Sequence, residues 1–309
     1  MSAEYRSVSV SLGSTRRDHR AVVTLGGQEV AVERRGVDGS LADAARLIEE
    51  LDGQVDAIGL GGIDLALVVG EDRYVIRDAA ELAVHARRTP VVDGFGLKAV
   101  FEPAVIHRLV ADGTLQSGQT VLMASAMDRY PMARAFVQSG LIPLFGDLMF
   151  ASRIDYPIRS ITELQEMARK ILPEVTRLPF NLLYPTGSEQ DAEPDVRFSR
   201  YFEEADVLAG DFHYLRRYLP DRIDGKVVVT TTTTAADVEL LRSRGAAVLV
   251  TTTPRLSGRT FGTNAMEAAL VARFGVRYPD PEFERRVMDS GLEPDIVRLG
   301  VDDHGREGP

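Results

Sequence analysis

The second half of the chain alternates short apolar segments with longer segments of helical periodicity. The apolar segments are rich in leucine and β-branched residues, as expected of strands that are buried on both faces of a parallel sheet. Six strands are predicted in this way, at residues 120–124, 141–145, 180–184, 206–209, 226–230 and 247–251. Helices are predicted at residues 131–139, 161–172, 198–205, 235–244 and 263–273. The alternation predicts an α/β fold with a Rossmann-like six-stranded parallel-sheet domain over residues 118–279, in the strand order 3-2-1-4-5-6.

The first 112 residues show a different, mixed pattern. Period-two alternation predicts strands at residues 7–11, 21–25 and 29–33, the last two of which form a hairpin. Further strands are predicted at 55–60, 65–69, 73–76 and 90–93, and helices at 41–51, 78–88 and 97–111. We therefore predict an N-terminal mixed α/β domain over residues 1–112, which ends at the polar, glycine-punctuated residues 112–118. Over residues 280–309 we expect one helix, at 281–290, and then a disordered tail.

Composition excludes several classes of partner. The chain has 309 residues, with 36 Lys and Arg against 46 Asp and Glu, and no basic run long enough to follow a nucleic-acid backbone. No apolar stretch is long enough to cross a bilayer, and the first residues lack the apolar core of a signal peptide. The absence of cysteine excludes thiolate chemistry, and the histidines show no metal-ligand spacing. We expect a cytoplasmic protein with a small anionic substrate, neither a nucleic-acid nor a membrane partner, and a homodimer as the default assembly.

Polar loops follow the predicted strands at the edge where open parallel sheets bind their ligands. Ser125, Asp128 and Arg129 follow the first strand of the second domain, and we predict that they contact NAD or NADP. The glycine fingerprint G-x-G-x-x-G is missing from this loop, although it is the usual sign of a bound pyrophosphate. The alternative is a polar loop that only caps the helix after it.

Further cofactor contacts are predicted after the later strands. Asp147 follows the second strand, where an acidic residue binds a ribose hydroxyl in this fold, although an Asp after a Gly is also an ordinary turn former. Thr231 and Thr232 follow the fifth strand, and Arg259 and Asn264 precede the last helix of the domain. Hydroxyls, a guanidinium and a helix N-terminus favour an anion or carboxylate site. The alternative is that these residues only extend strands and cap a helix.

Two pairs of residues are candidates for acid–base chemistry. Lys98, one of three lysines in the chain, follows a glycine turn and has Asp93 as its predicted charge partner. His213 lies two residues after Asp211 in the predicted ligand-binding loop, and histidine titrates near neutral pH. The alternative for Lys98 is a solvated surface lysine.

Two glycine-containing polar segments of the N-terminal domain each have two possible interpretations. Residues 11–17 follow the first predicted strand, and residues 59–64 overlap the end of the central one and follow it. Each either lines a cleft that faces the second domain or forms an ordinary turn.

Four segments carry a family resemblance: residues 56–64 (DAIGLGGID), 91–98 (VVDGFGLK), 209–217 (AGDFHYLRR) and 257–264 (SGRTFGTN). Together they resemble a group of bacterial proteins catalogued as quinate 5-dehydrogenase, and the similarity spans nearly the whole chain. The resemblance implies the order of the shikimate and quinate dehydrogenases, a substrate domain followed by a nicotinamide-binding domain. It also implies a Ser-x-Ser pair, loosely matched by Ser9 and Ser11, and a catalytic lysine, for which Lys98 stands.

Three functional hypotheses follow. The first is an oxidoreductase that moves hydride between NAD or NADP and a small hydroxylated carboxylic acid of quinate or shikimate type, with Lys98 as acid or base. The second is a non-redox enzyme, a lyase or a transferase, that uses His213 and Asp211 in the same interdomain cleft. The third is a metabolite-binding protein without catalysis. The missing glycine loop favours the second and third hypotheses, whereas the strand pattern and the resemblance favour the first.

Overall fold

The computed structural model of the chain describes residues 4–180, 196–256 and 258–300. Its strands in chain order are β1 (Tyr5–Ser11), β2 (His19–Leu25), β3 (Gln28–Gly36), β4 (Ala57–Gly61), β5 (Ala66–Val69), β6 (Asp72–Val75), β7 (Val91–Val92), β8 (Thr120–Met123), β9 (Ile142–Phe145), β10 (Val207–Ala209), β11 (Val227–Thr230), β12 (Val248–Thr251), β13 (Arg255–Leu256), β14 (Arg259–Thr260) and β15 (Asp295–Arg298). Its helices are α1 (Leu41–Leu51), α2 (Arg77–Ala83), α3 (Phe95–Ala111), α4 (Tyr130–Gln138), α5 (Asp147–Ser152), α6 (Ile161–Val175), α7 (Ser199–Glu204), α8 (Phe212–Tyr218), α9 (Ala235–Ser243), α10 (Thr263–Phe274) and α11 (Pro281–Met288). A short 3₁₀ turn, Thr15–Arg17, follows β1.

The N-terminal residues form a mixed sheet in the order β2-β3-β1-β4-β7. β2 and β3 form the predicted antiparallel hairpin, whereas β1 pairs in parallel with β3 and β4, and β4 in parallel with β7. The Ser40 hydroxyl caps α1 by accepting the backbone N–H of Asp43 at 3.1 Å, as the sequence pattern predicts. The apolar face of α1, with Ala44 and Ile48, packs on Val8 and Val10 of β1 in one buried cluster.

The second sheet has the order β15-β12-β11-β10-β8-β9. β8 to β12 are parallel, and β15 pairs antiparallel with β12 at the edge. In the numbering of this domain the order is 2-1-3-4-5-6, so the predicted order 3-2-1-4-5-6 is wrong. The sixth strand comes from Asp295–Arg298, which we predicted to be tail. Of the predicted strand 180–184, residues 181–184 lie outside the described residues.

Helix α10 packs against β1, β3 and β4 of the N-terminal sheet, although it follows the last parallel strand of the second sheet. Its residues are buried almost all round, which explains why it carries so many small and apolar side chains. Gly59 and Gly61 allow this close approach, because a Cβ at these positions would lie 2.6 Å from the Asn264 carbonyl oxygen and 2.8 Å from its Nδ2. The two domains are therefore joined by a helix of the second that lies on the sheet of the first.

The predicted fold class, an N-terminal α/β domain followed by a Rossmann-like parallel-sheet domain, is confirmed, with the difference that the edge strand β15 is antiparallel. The carboxyl ends of β1 and β4 in one sheet, and of β8, β10 and β11 in the other, open on one cavity. Within the described ranges, no helix is both long enough and apolar enough to cross a bilayer.

Candidate functional site

A cavity of about 440 Å³ lies between the two sheets, a size suited to a small metabolite. It is lined by all the site residues predicted from the sequence: Asp93, Lys98, Ser125, Asp128, Arg129, Asp147, Asp211, His213, Thr231, Thr232, Arg259 and Asn264. The structure therefore brings the predicted residues together around one cavity, but most of their side chains have partners that the sequence did not predict.

Lys98 lies in the first turns of α3 and is buried, with 3% of its surface exposed. Its Nζ lies 2.7 Å from Asp64 Oδ1 and 2.6 Å from Asp128 Oδ1. The predicted partner Asp93 instead accepts the backbone N–H groups of Leu65 at 2.7 Å and Phe95 at 3.0 Å. Asp93 was therefore the wrong partner, because its carboxylate is used to hold the turn before α3. Lys98 is a buried ion-pair centre and not the solvated lysine of the alternative interpretation.

The charges of this cluster perturb one another. Burial raises the pKa of Asp64, and the charge of Asp128 adds to this while Lys98 opposes it, so that the pKa reaches about 7. Burial also acts against the charged form of Asp128, but Lys98 and Arg129 outweigh it and lower the pKa of that carboxyl. Burial disfavours the charged form of Lys98 too, yet Asp128 and Asp64 raise its pKa above the ordinary value. Asp64 can thus gain or release a proton near neutral pH beside a lysine that stays charged.

We predicted that Arg129 contacts the phosphates of a dinucleotide. In the structure it instead forms a buried ion pair with Glu102 of α3. Glu102 is 0% exposed and Arg129 is 4% exposed. The guanidinium also donates to the Thr231 hydroxyl at 3.4 Å, while Glu102 Oε2 and Arg129 Nε lack a hydrogen-bond partner within the described residues. The pair joins α3 to the loop after β8, and so fixes the residue next to Asp128.

A group of arginines lines the part of the cavity next to β1 and β3. Arg34 donates to the Ser11 hydroxyl at 2.8 Å and to Asp18 Oδ1 at 2.9 Å. Burial is the largest cause that lowers its pKa to about 10; the charge of Asp18 opposes this, and the charges of Arg17 and Arg259 add to it. Burial and the charge of Arg17 likewise lower the pKa of Arg259. The sequence indicated Arg259 but missed Arg34, because an arginine in a half-polar strand looks like any solvated side chain.

His213 and Asp211 do not form the predicted side-chain pair. Asp211 is the N-cap of α8 and accepts the backbone N–H of His213 at 2.8 Å. The His213 ring instead contacts Arg17 across the cavity, with 2.7 Å between His213 Nε2 and a guanidinium nitrogen. Asp211 therefore caps a helix, and His213 forms a contact between the two domains.

The predicted threonines fall into a network that holds the chain together. The carbonyl of Thr231 accepts the hydroxyls of Thr253 at 3.2 Å and Thr260 at 2.8 Å, and the Thr260 hydroxyl accepts the N–H of Thr233 at 2.7 Å. These bonds fasten the β13–β14 hairpin to the ends of β11 and β12. Thr231 is buried in this network, whereas Thr232 is half-buried at the cavity wall.

The loop after β8 does not fit a dinucleotide in the way we predicted. Asp147, expected to bind a ribose, accepts the backbone N–H groups of Met127 at 2.8 Å and Ala126 at 3.2 Å. These are the amides that would hold a pyrophosphate at this turn. The Ser125 hydroxyl accepts the N–H of Asp211 at 3.4 Å. Among the described residues, no cluster of His, Asp and Glu is suited to a metal ion.

Asn264 and Ser9 join the two domains at the floor of the cavity. Asn264 Nδ2 donates to the Ser9 hydroxyl at 2.6 Å. Ser9 and Ser11 follow each other on the same face of β1, and both line the cavity with Asn264. They supply short hydroxyl and amide groups of the kind that bind the oxygens of a small polar ligand.

Glu267 of α10 adds a buried acid next to the site. Its Oε2 accepts the N–H of Gly96 at 3.0 Å at the start of α3, and the residue is 3% exposed. Burial, assisted by the charge of Asp93, raises the pKa of Glu267 from 4.5 to about 8. Between these two values the folded protein holds a proton that the unfolded chain has released, so folding stability falls as the pH rises.

We expect Glu267→Gln to flatten this dependence. From this group alone, the free energy of unfolding of the wild type should fall by about 2 kcal/mol between about pH 6 and about pH 8. In Glu267→Gln this fall in the free energy of unfolding should be absent. Urea denaturation at both pH values measures it. Glu71→Gln, at an exposed turn, is the matched control and should follow the wild type. An unchanged pH slope in Glu267→Gln would show that Glu267 is ionised in the folded protein.

The chain aligns with several solved structures at low similarity. The glucose-galactose binding protein GanP from Geobacillus stearothermophilus is 11% identical with a TM-score of 0.39, over 97% of this chain and 98% of that chain. The arabinose transporter's periplasmic binding protein from Shewanella sp. ANA-3 is 8% identical with a TM-score of 0.37, over 95% and 92%. The glutamate dehydrogenase from Thermus thermophilus is 14% identical with a TM-score of 0.41, over 92% and 73%. At TM-scores this low, none of them supports a conclusion about ligand or reaction.

The expected membership of the quinate and shikimate dehydrogenases is wrong. The solved structures that align with the chain are mainly sugar-binding proteins and not dehydrogenases of that family. The segments that suggested the family are glycine turns and helix starts at strand ends, which many α/β proteins share. The oxidoreductase hypothesis gains no support, and binding of NAD or NADP, a cytoplasmic location and a homodimer stay predictions.

Family models identify the chain more directly. No curated protein matches the sequence. Residues 6–93 match a domain of unknown function (DUF8753). Residues 96–299 match a second domain of unknown function (DUF8754), and this match covers more than half of the chain. The two matches meet at residues 93–96, at the start of the helix that carries Lys98. The chain therefore belongs to the DUF8754 family.

Proposed function

We propose that the protein binds a small hydroxylated anion, such as a hydroxylated carboxylate, in the cavity between its domains. The observation that carries this proposal is the group formed by Arg17, Arg34 and Arg259. All three guanidiniums line the cavity. Burial is the main cause that lowers the pKa of Arg34 to about 10, and the charges of Arg17 and Arg259 add to it against the charge of Asp18. A bound anion would relieve their mutual repulsion, and guanidinium forks suit carboxylate and phosphate oxygens.

The rest of the cavity suits the hydroxyl groups of such a ligand. The Ser11 hydroxyl accepts a hydrogen bond from Arg34, and the Ser9 hydroxyl, two residues before Ser11 on β1, accepts one from Asn264. Short polar groups in a row along β1 and α10 are suited to bind successive ligand oxygens. Asp64, Asp128 and Lys98 line the same cavity and would meet a hydroxyl of a ligand whose anionic group lies on the arginines.

A second candidate function is non-redox catalysis on that ligand. It is favoured by the Lys98 cluster, in which the pKa of Asp64 is about 7 and a charged lysine lies 2.7 Å away. A carboxyl group with this pKa exchanges protons with a bound hydroxyl or an acidic C–H group at neutral pH. Once a ligand is identified, deuterium exchange into it in D₂O, measured by NMR, tests this step. Exchange that Asp64→Asn leaves unchanged would exclude Asp64 as the acid or base.

The binding proposal predicts that charge decides which ligands stabilise the protein. Thermal-shift titration should show stabilisation by an aldonate such as gluconate, and little by glucose at the same concentration. Arg34→Gln should weaken aldonate binding by at least about tenfold, because it removes a charge-assisted contact.

The neighbouring Arg35 is the matched control, since it lies on the same strand and pairs with Glu33 at 2.6 Å outside the cavity lining. Arg35→Gln should bind the aldonate like the wild type. Stabilisation by glucose and not by gluconate, or equal affinity in the two variants, would contradict the proposal.

A further inference from the structure

The turn between β8 and α4 uses most of its backbone amides within the protein. The N–H of Ala124 donates to the carbonyl of Ala209 at 2.9 Å, and that of Arg129 to the carbonyl of Ser125 at 3.1 Å. Between them, the N–H groups of Ala126 and Met127 donate to the carboxylate of Asp147. Consecutive amides at a strand–helix turn form a concave anion site, and here a carboxylate of the same chain occupies it.

The neighbouring strand closes this turn from the other side. A Cβ at Gly210 would lie 3.1 Å from the nitrogen of Ala124 and 3.3 Å from that of Ser125. The crevice between β8 and β10, where the strand order reverses, is the usual ligand position in such sheets. In this chain the backbone of Gly210 lies close to the amides of Ala124 and Ser125, and a diphosphate at this turn would have to displace Asp147.

The local charge also disfavours a diphosphate. Asp147, Asp128 and Asp211 all lie close enough to Tyr214 to raise the pKa of its hydroxyl, together with burial, which is the largest cause. Burial and, as a smaller cause, the charge of Asp128 raise the pKa of Asp147 to about 7, against the backbone hydrogen bonds that lower it. The positive groups nearest to this turn are engaged, Arg129 with Glu102 and Lys98 with Asp64 and Asp128.

We propose that the carboxyl group of Asp147 takes the place of a bound phosphate in the turn after β8, where it accepts two backbone amides and holds the loop that presents Asp128 to Lys98. The sheet thereby keeps the architecture of a nucleotide-binding domain while its phosphate position is taken by a side chain. Asp147 is a positioning residue, because it acts on the site through the backbone of the loop 125–129. The inference concerns a different part of the cavity from the arginine group and does not depend on the proposed ligand.

The test is removal of the carboxylate and its replacement by a free anion. Asp147→Ala should lower the melting temperature by about 5 °C or more. Inorganic phosphate at about 10 mM should recover at least about half of that loss, and should shift the variant more than the wild type. All measurements are made at about pH 8, above the pKa of Asp147, and in an Arg34→Gln background, which weakens phosphate binding to the arginines. ADP should not stabilise the protein with Asp147 intact.

Asp52→Ala is the matched control. Asp52 also accepts two consecutive backbone N–H groups, those of Arg88 and Thr89 at 2.8 Å each, but on the surface and away from the cavity. Phosphate should raise the melting temperature of Asp52→Ala no more than it raises that of the Arg34→Gln protein without this substitution. If Asp147→Ala does not fold, Asp147→Asn, which keeps an acceptor without the charge, should show a smaller loss and a smaller phosphate effect. Stabilisation by ADP with Asp147 intact, or a loss in Asp147→Ala that phosphate does not reduce, would overturn the proposal.

Discussion

Replacing Lys98 with methionine is expected to destabilise the folded protein by about 3–5 kcal/mol at about pH 8. The substitution keeps most of the apolar stem of the side chain but leaves Asp64 and Asp128, whose side chains are 15% and 25% exposed, without their shared cation. Near pH 5 the loss should be smaller. Without the lysine both carboxyl groups take up protons more readily, and a neutral carboxyl costs less to bury than a carboxylate.

Urea denaturation of Lys98→Met at the two pH values measures this effect. Lys170→Met, on an exposed position of α6, is the control and should cost less than about 0.5 kcal/mol at both. Adding Asp64→Asn and Asp128→Asn to Lys98→Met should recover part of the stability, since no buried charge then remains in the cluster. A loss that is the same at both pH values would mean that the two carboxyl groups stay charged without Lys98.

The second large effect is expected at the buried pair of Glu102 and Arg129. Glu102→Ala should cost about 3–5 kcal/mol, because it leaves a guanidinium that is 4% exposed without its carboxylate. The double variant Glu102→Leu with Arg129→Met should recover most of this loss. It replaces two buried charged groups by apolar side chains of similar volume, and it removes Glu102 Oε2 and Arg129 Nε, which lack hydrogen-bond partners within the described residues.

A double-mutant cycle on the two positions measures the coupling. The exposed pair of Arg242 and Glu239, whose side chains are 43% and 69% exposed, provides the comparison and should couple by less than about 1 kcal/mol. If the losses of Glu102→Leu and Arg129→Met simply add, the ion pair does not exist as described.

The fold was predictable where local pattern and tertiary packing agree. Helix α1 has the predicted bounds, because Ser40 caps it and its apolar residues repeat on one face. The prediction for α2 ran to residue 88, whereas the helix ends at Ala83. The amides of Arg88 and Thr89 donate instead to Asp52, which lies far away in the sequence. A contact of this kind has no local signal.

The site was predictable as a place but not as a set of contacts. Parallel sheets bring the carboxyl ends of their strands to one edge, and this rule alone collected the predicted residues around one cavity. The rule does not say which acid meets Lys98. Asp93, the near candidate, binds backbone amides, while Asp64 and Asp128, from two different domains, meet the lysine.

The amino-acid pattern by itself determined two α/β domains, the position of the cleft at the strand ends and the absence of a glycine-rich phosphate loop. Only the tertiary structure decided what fills the place of that loop and how charges pair across the cleft. The reason is physical: periodicity reports how one segment is buried along its own length. The partner of a charged side chain depends on which segments meet in space, as when Asp147 closes a turn that begins more than twenty residues before it.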